Sequence, residues 1–178
     1  MERKNVVLSD ADMARQREFT EKIKDLHIQR GKAVRALVDT FGCQQNVADS
    51  QHILGMLRDM GCQFTDDAAQ ADIVVLNTCA IRDHAEKRVF GNLGALTHTK
   101  RRHPEQKIFL CGCMAGQKSV SDRIRKSYPF VDGVFNTLHL WQLPELLRRV
   151  LTEGKRVFAI EYEAGSIAEG IPAVRGNT

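Results

Sequence analysis

The stretch that begins at Ala33 alternates short apolar runs with longer amphipathic segments, and no other feature of the sequence restricts the fold as strongly. Short apolar runs suit strands that are buried on both faces, whereas apolar residues at helical spacing suit helices. The runs predict strands near 33–39, 62–65, 73–77, 107–111, 132–135 and 156–160. The amphipathic segments predict helices near 47–60, 82–102, 118–127 and 142–153.

This alternation of strand and helix predicts an α/β fold. We expect a doubly wound, flavodoxin-like domain with a mainly parallel sheet of about five to six strands and helices on both faces. The residues before Ala33 predict an additional amino-terminal helix. Ser9 and Asp12 form the pattern of a capping box at its start, and Gly31 is suited to end it.

Five cysteines in a chain of 178 residues need an explanation other than stability. A chain of this length buries enough apolar surface to fold without disulfides or a metal. It has no apolar run long enough to cross a membrane, and its amino terminus lacks the apolar stretch of a secretory signal. We therefore expect a cytoplasmic protein with reduced thiols, in which an odd number of cysteines indicates metal binding, catalysis or core packing.

Three of the cysteines follow predicted strands directly. Cys43 comes after the first strand of the sheet, Cys79 after the third and Cys113 after the fourth. In an open parallel sheet with the common strand order 2-1-3-4-5, these three strands are neighbours and their carboxyl ends share one edge. The topology therefore predicts that three cysteines distant in sequence lie together.

Three thiolates at the edge of a sheet favour a cubane iron–sulfur cluster, in which each cysteine binds one iron and the fourth iron stays open. Zinc with three cysteines and a further ligand is the alternative, but zinc sites usually show a close Cys-x-x-Cys pair, which this sequence lacks. Gly42 and Gly112 precede two of the candidate ligands and would allow the backbone to approach an inorganic group.

Cysteine is also among the most buried residue types, so each one could simply pack in the core. We interpret Cys62, at the start of the second strand, in this way. Cys111 lies inside a strand, one pleat deeper than Cys113, and core packing is the simpler interpretation for it too.

Basic residues also cluster near the ends of two predicted helices. They are Lys100, Arg101, Arg102 and His103, and Arg123, Arg125 and Lys126. Cations at helix carboxyl ends interact well with the helix dipole, so a solvated helix end is the simple interpretation and phosphate binding the alternative. The net charge of +4 permits a nucleic-acid partner without requiring one.

Three segments resemble the amino-terminal domain of the radical-SAM methylthiotransferases. They are Thr40-Phe41-Gly42-Cys43-Gln44-Gln45-Asn46 with Asp49-Ser50, Ala71-Asp72-Ile73-Val74-Val75-Leu76-Asn77-Thr78-Cys79-Ala80-Ile81-Arg82 with Ala85-Glu86, and Cys111-Gly112-Cys113-Met114-Ala115. The resemblance is strongest to the MiaB-type branch, which inserts sulfur and a methyl group into dimethylallyladenosine next to the tRNA anticodon. Gln45 stands where that branch commonly has methionine.

The resemblance implies that Cys43, Cys79 and Cys113 hold an auxiliary 4Fe-4S cluster. It also implies a second 4Fe-4S cluster and S-adenosylmethionine bound outside this chain, tRNA as the partner, and no catalytic residue within these 178 residues. The chain by itself is expected to be inactive. Four further residues are candidates for supporting the cluster or contacting the substrate, namely Asn46, Asn77, Arg82 and Glu86.

The resulting domain prediction has three parts. Residues 1–32 form a helical extension, residues 33–162 form the methylthiotransferase amino-terminal domain, and the small residues of 163–178 suit a linker toward a radical-SAM domain. Two alternatives remain. The enzyme could act on threonylcarbamoyladenosine in tRNA or on a ribosomal protein, or the chain could be a non-catalytic, flavodoxin-like metal-binding module.

Overall fold

A six-stranded, all-parallel sheet forms the centre of the protein, as seen in a computed structural model that describes residues 4–81, 84–160 and 166–169. Its strands are β2 (Arg35–Phe41), β3 (Gln63–Phe64), β4 (Ile73–Thr78), β5 (Lys107–Gly112), β6 (Gly133–Phe135) and β7 (Val157–Ala159). Their order is β3-β2-β4-β5-β6-β7. The predicted α/β class and the predicted neighbours in the sheet are therefore confirmed.

Helices cover both faces of this sheet. They are α2 (Gln44–Asp59), α3 (Ala85–Arg102), α4 (Lys118–Ser127) and α5 (Leu143–Glu153), with a 3-10 helix at Thr137–Gln142 before α5. One apolar cluster packs α2 and α5 against one face, and a second packs α3 and α4 against the other. β4 and β5 lie between the two clusters and are almost fully buried, which explains why they are continuous apolar runs.

The amino-terminal helix α1 (Asp10–Gln29) begins with the predicted capping box. Asp12 N–H donates to Ser9 Oγ at 3.1 Å, and Ser9 N–H donates to Asp12 Oδ2 at 3.3 Å. The helix packs on α5, where Gln16 Nε2 donates to Glu145 Oε2 at 3.2 Å. The helix is therefore attached to the α/β domain through side-chain contacts as well as through the chain.

Two short strands lie outside the elements that the sequence predicts. β1 (Lys4–Val7) precedes α1, and β8 (Ser166–Glu169) falls within the stretch interpreted as a linker. The two pair in parallel, with Lys4 opposite Ser166. The proposed domain boundaries themselves remain predictions. In the part of the chain that the structure describes, no helix is long and apolar enough to span a bilayer.

Candidate functional site

Three cysteines lie at the carboxyl edge of the sheet, and we call Cys43, Cys79 and Cys113 the edge cysteines. β4 is the neighbour of both β2 and β5, and each of these three strands ends just before an edge cysteine. The register aligns the strand ends, because Phe41 pairs with Thr78 and Thr78 pairs with Gly112. The three residues therefore leave the sheet at nearly the same level, as the topology predicts.

The sulfurs of the edge cysteines influence one another. Cys79 contributes to the lowered pKa of the Cys43 thiol, and the charges of Cys79 and Cys43 contribute to the raised pKa of the Cys113 thiol. Cys79 is buried, whereas Cys43 and Cys113 are partly accessible. The group is therefore open to solvent on one side and closed by the sheet on the other.

Cys43 occupies the amino-terminal cap of α2, and this position favours its thiolate. The backbone N–H groups of Asn46 and then Gln45 bond to its sulfur and lower the pKa of the Cys43 thiol below its usual value. Cys113 differs, because burial raises the pKa of its thiol. The charges of Cys79, Asp49 and Cys43 raise it further. The thiolate of Cys43 is therefore favoured, whereas that of Cys113 is disfavoured unless a positive charge lies nearby.

The two glycines of the site are required by the packing of the protein itself, and their predicted role beside an inorganic group stays a prediction. A Cβ on Gly42 would overlap the Asn46 side chain and lie 2.6 Å from Cys79 Cβ. Gly112 has φ +98°, and a Cβ there would overlap the Thr78 carbonyl oxygen. Both positions need glycine because neighbouring protein atoms fill the space, and this packing brings the strand ends together.

A buried amide pair connects the turn of Cys43 to the strand end of Cys79. Asn46 Oδ1 accepts from Cys43 N–H at 3.2 Å, and Asn46 Nδ2 donates to the Thr78 carbonyl at 2.9 Å and to Asn77 Oδ1 at 3.1 Å. Asn77 Nδ2 donates to the Asn46 carbonyl at 2.8 Å and to Ser50 Oγ at 2.9 Å. Asn46 and Asn77 are both fully buried, so they support the cysteines and have no surface to offer a substrate.

The other two candidates are placed differently. Glu86 is exposed, and its Oε1 accepts from Arg123 Nη1 at 3.4 Å, so it faces α4. This contact places Glu86 on the flank of the site, and its predicted role beside the cluster stays a prediction. Arg82 lies outside the residues that the structure describes.

Asp49 belongs to one of the resembling segments, but the sequence assigns it no role in the site. It lies on the inner face of α2, one turn after Asn46, and is 7% exposed. Its Oδ1 accepts from Gln45 Nε2 at 3.0 Å, whereas its Oδ2 has no hydrogen-bond partner among the described residues. Burial raises the pKa of this carboxyl group, and its charge acts on Cys111 and Cys113. The position three residues after Asn46 was the available signal, since it shares that helix face.

The edge cysteines are soft sulfur donors, the ligand type that iron–sulfur clusters and zinc both accept. Within residues 4–81, 84–160 and 166–169, no group of three or more His, Cys, Asp or Glu side chains stands in a position to hold a metal ion. The donor chemistry of the three cysteines fits an iron–sulfur cluster, and the binding of one stays a prediction.

The family model of uncharacterized protein family UPF0004 matches residues 35–136. This range covers more than half of the chain and includes all three edge cysteines. The chain belongs to this family. The match also covers β2 through β6 and therefore the whole edge at which the cysteines meet.

Curated relatives of this UPF0004 domain include three proteins named tRNA-2-methylthio-N(6)-dimethylallyladenosine synthase. The chain is 39% identical to the protein of Acetivibrio thermocellus over 98% of its own length and 37% of the relative's. The chain is 39% identical to the protein of Caldicellulosiruptor saccharolyticus over 92% of its own length and 36% of the relative's. It is 44% identical to the protein of Clostridium beijerinckii over 78% of its own length and 30% of the relative's. The resemblance to this branch is confirmed, and the chain spans about a third of the length of these relatives.

Proposed function

We propose that this chain is the auxiliary-cluster domain of a tRNA methylthiotransferase that inserts sulfur and a methyl group into dimethylallyladenosine next to the anticodon. Cys43, Cys79 and Cys113 hold a 4Fe-4S cluster. One observation carries this proposal: three cysteines leave three adjacent parallel strands at the same level. The names of the curated relatives supply the substrate.

The surrounding residues suit the binding of a cluster by three thiolates. The backbone of Gln45 and Asn46 favours the thiolate of Cys43, and the amide of Asn46 connects that turn to the strand end before Cys79. A cluster bound by only three cysteines supplies one iron that can bind an external sulfur ligand. The half-accessible positions of Cys43 and Cys113 leave that side of the group open to solvent.

The remaining parts of the activity belong to other regions of the full enzyme. In this proposal a second 4Fe-4S cluster and S-adenosylmethionine bind outside residues 1–178, and this chain alone has no turnover. A tRNA substrate and reduced thiols agree with a cytoplasmic location. The sulfur donor and the electron donor are further partners of the full enzyme.

Metal content tests the cluster directly. Anaerobic reconstitution with iron and sulfide should give about four irons and about four sulfides per chain, with the broad visible absorption of a 4Fe-4S cluster. Zinc bound in preference to iron, or a single iron without sulfide, would contradict the cluster and favour a simple metal-binding module.

A chimera tests the substrate. Because the chain matches the Acetivibrio thermocellus relative over 98% of its length, it can replace the corresponding segment of that protein. The chimera should restore 2-methylthio-N6-dimethylallyladenosine in tRNA, as measured by mass spectrometry of nucleosides. The same chimera with Cys79→Ala is the matched control and should form none. A chimera that loads its clusters but leaves this nucleoside unmodified would exclude the assigned substrate.

A further inference from the structure

A cleft opens between the first turns of α3 and the middle of α4. It has a volume of about 630 Å³ and is lined by His84, Glu86, Lys87, Phe90 and Arg123. This volume lies within the range of small-ligand pockets, roughly 300 to 1,000 Å³. Because α3 follows Cys79 and α4 follows Cys113 along the chain, the cleft flanks the edge cysteines.

Arg123 packs over an aromatic ring in this cleft. Its guanidinium carbon lies 3.7 Å from the centroid of the Phe90 ring, and its Nη1 donates to Glu86 Oε1 at 3.4 Å. Phe90 is itself buried and packs against Tyr128 with 5.3 Å between the ring centroids. The Arg123 side chain is nevertheless 50% exposed. A guanidinium that rests on a ring and is still half exposed leaves its free face as a stacking surface.

Two further cations stand on the first turns of α3. Lys87 and Arg88 are both exposed. The guanidinium carbon of Arg88 lies 5.5 Å from the ring centroid of Phe41, the last residue of β2, immediately before the Gly42–Cys43 turn. Among the described residues that line the cleft, Glu86 carries the one carboxylate, and it pairs with Arg123. Lys87 in the cleft and Arg88 beside it therefore leave this surface with an excess of positive charge, which favours an anion.

We propose that this cleft binds an unpaired nucleotide of RNA, with its base stacked on the free face of Arg123 and its flanking phosphates on Lys87 and Arg88. Unstacked bases in RNA loops are bound on arginine planes and aromatic rings, and phosphates are bound by cations. An acidic peptide would satisfy the charges but would leave the free guanidinium face unused. The proposal rests on the proposed action on tRNA and adds to it a binding surface that needs no cluster.

Fluorescence anisotropy with a labelled stem–loop RNA that carries unpaired loop adenosines tests this surface. Arg123→Ala should weaken binding about tenfold, and Arg123→Lys, which keeps the charge but loses the plane, should weaken it about threefold. Lys87→Ala should weaken binding about threefold and lower the slope of log Kd against log salt by about one.

Arg101→Ala is the matched control. It removes one exposed cation from the same helix α3, about 21 Å from Lys87 along the helix axis. Binding should stay within about twofold of the parent chain, since a charge beyond the Debye length contributes little. A fully paired duplex of the same length should bind more weakly than the stem–loop.

Four results would overturn the surface: no binding of the stem–loop, equal loss in Arg101→Ala and Arg123→Ala, binding by Arg123→Lys equal to that of the parent, or no preference for the loop over the duplex. Thermal unfolding shows whether each variant is folded. If Arg123→Ala does not fold, the comparison of Lys87→Ala and Arg123→Lys with the parent chain decides the test. Cluster loading is measured separately. A chain that takes up iron but does not bind the RNA would refute only this binding surface, whereas a chain that binds RNA but takes up no iron would refute the proposed cluster.

Discussion

The edge cysteines and the two core cysteines, Cys62 and Cys111, are the same residue type in opposite environments. Burial raises the pKa of the Cys62 thiol to about 12, and complete burial raises the pKa of Cys111 well above its usual value. At the edge, the first turn of α2 lowers the pKa of Cys43 instead. The difference shows that the position relative to a strand end decides whether a cysteine in this fold is available for chemistry.

Cys111 and Cys113 make the comparison sharpest. They are two residues apart, and Cys111 lies in β5 within the apolar cluster under α2 and α5, whereas Cys113 lies just past the end of the strand. Gly112 separates them with φ +98°. The boundary between core and site therefore falls on one glycine.

Of the substitutions considered at this boundary, Gly112→Ala should lower the free energy of unfolding most. The new Cβ would overlap the Thr78 carbonyl oxygen and lie 2.7 Å from Thr78 N, in a backbone conformation that alanine disfavours. We expect a loss of roughly 3 to 4 kcal/mol in the free energy of unfolding, measured with urea.

Gly154→Ala is the matched control, because Gly154 also has a positive φ of +63° but has no neighbouring atom within 4 Å of the position that a Cβ would take. This substitution should lower the free energy of unfolding by about 1 kcal/mol. Equal losses in the two variants would mean that the close approach of β4 and β5 at Gly112 contributes nothing.

Cys111→Ser should lower the free energy of unfolding more than Cys113→Ser does. A serine hydroxyl in the fully buried position leaves a polar group in an apolar cluster and should cost about 2 kcal/mol. Cys113→Ser is the control, with an expected change within about 0.5 kcal/mol, because the half-buried hydroxyl can bond to water. A reversed order in urea unfolding would refute the assignment of Cys111 to the core.

Alkylation by iodoacetamide should rank the thiols of the metal-free chain. The thiolate is the nucleophile, and a lower pKa gives a larger thiolate fraction at neutral pH, so Cys43 should react faster than Cys113 at about pH 7. As pH rises, the rate at Cys43 should level off first, while that at Cys113 keeps increasing. Mass spectrometry of peptides gives the order, and a Cys62 as reactive as Cys43 would contradict the comparison.

The sequence predicts the sheet and the meeting of the edge cysteines because both follow from the order of apolar runs. The alternation defines the strands, and the parallel topology places the carboxyl ends of β2, β4 and β5 together. These are properties of the chain's pattern and need no knowledge of individual contacts.

The features that the sequence does not predict depend on which atoms become neighbours. The sequence does not show that a Cβ on Gly42 would meet Asn46 and Cys79, or that one on Gly112 would meet Thr78. Asp49 has the position of a helix-start acid, yet the packing of α2 buries it. Pattern gives the polarity of a position, but the identity of its neighbours comes only from the folded chain.

Iron and acid-labile sulfide in five cysteine-to-alanine variants, each reconstituted under anaerobic conditions, test the central claim most directly. Cys43→Ala, Cys79→Ala and Cys113→Ala should each lose the cluster, while Cys62→Ala and Cys111→Ala, where they fold, should retain about four irons per chain. A normal cluster in any edge variant, or its loss in a folded core variant, would contradict the assignment of the site to the edge cysteines.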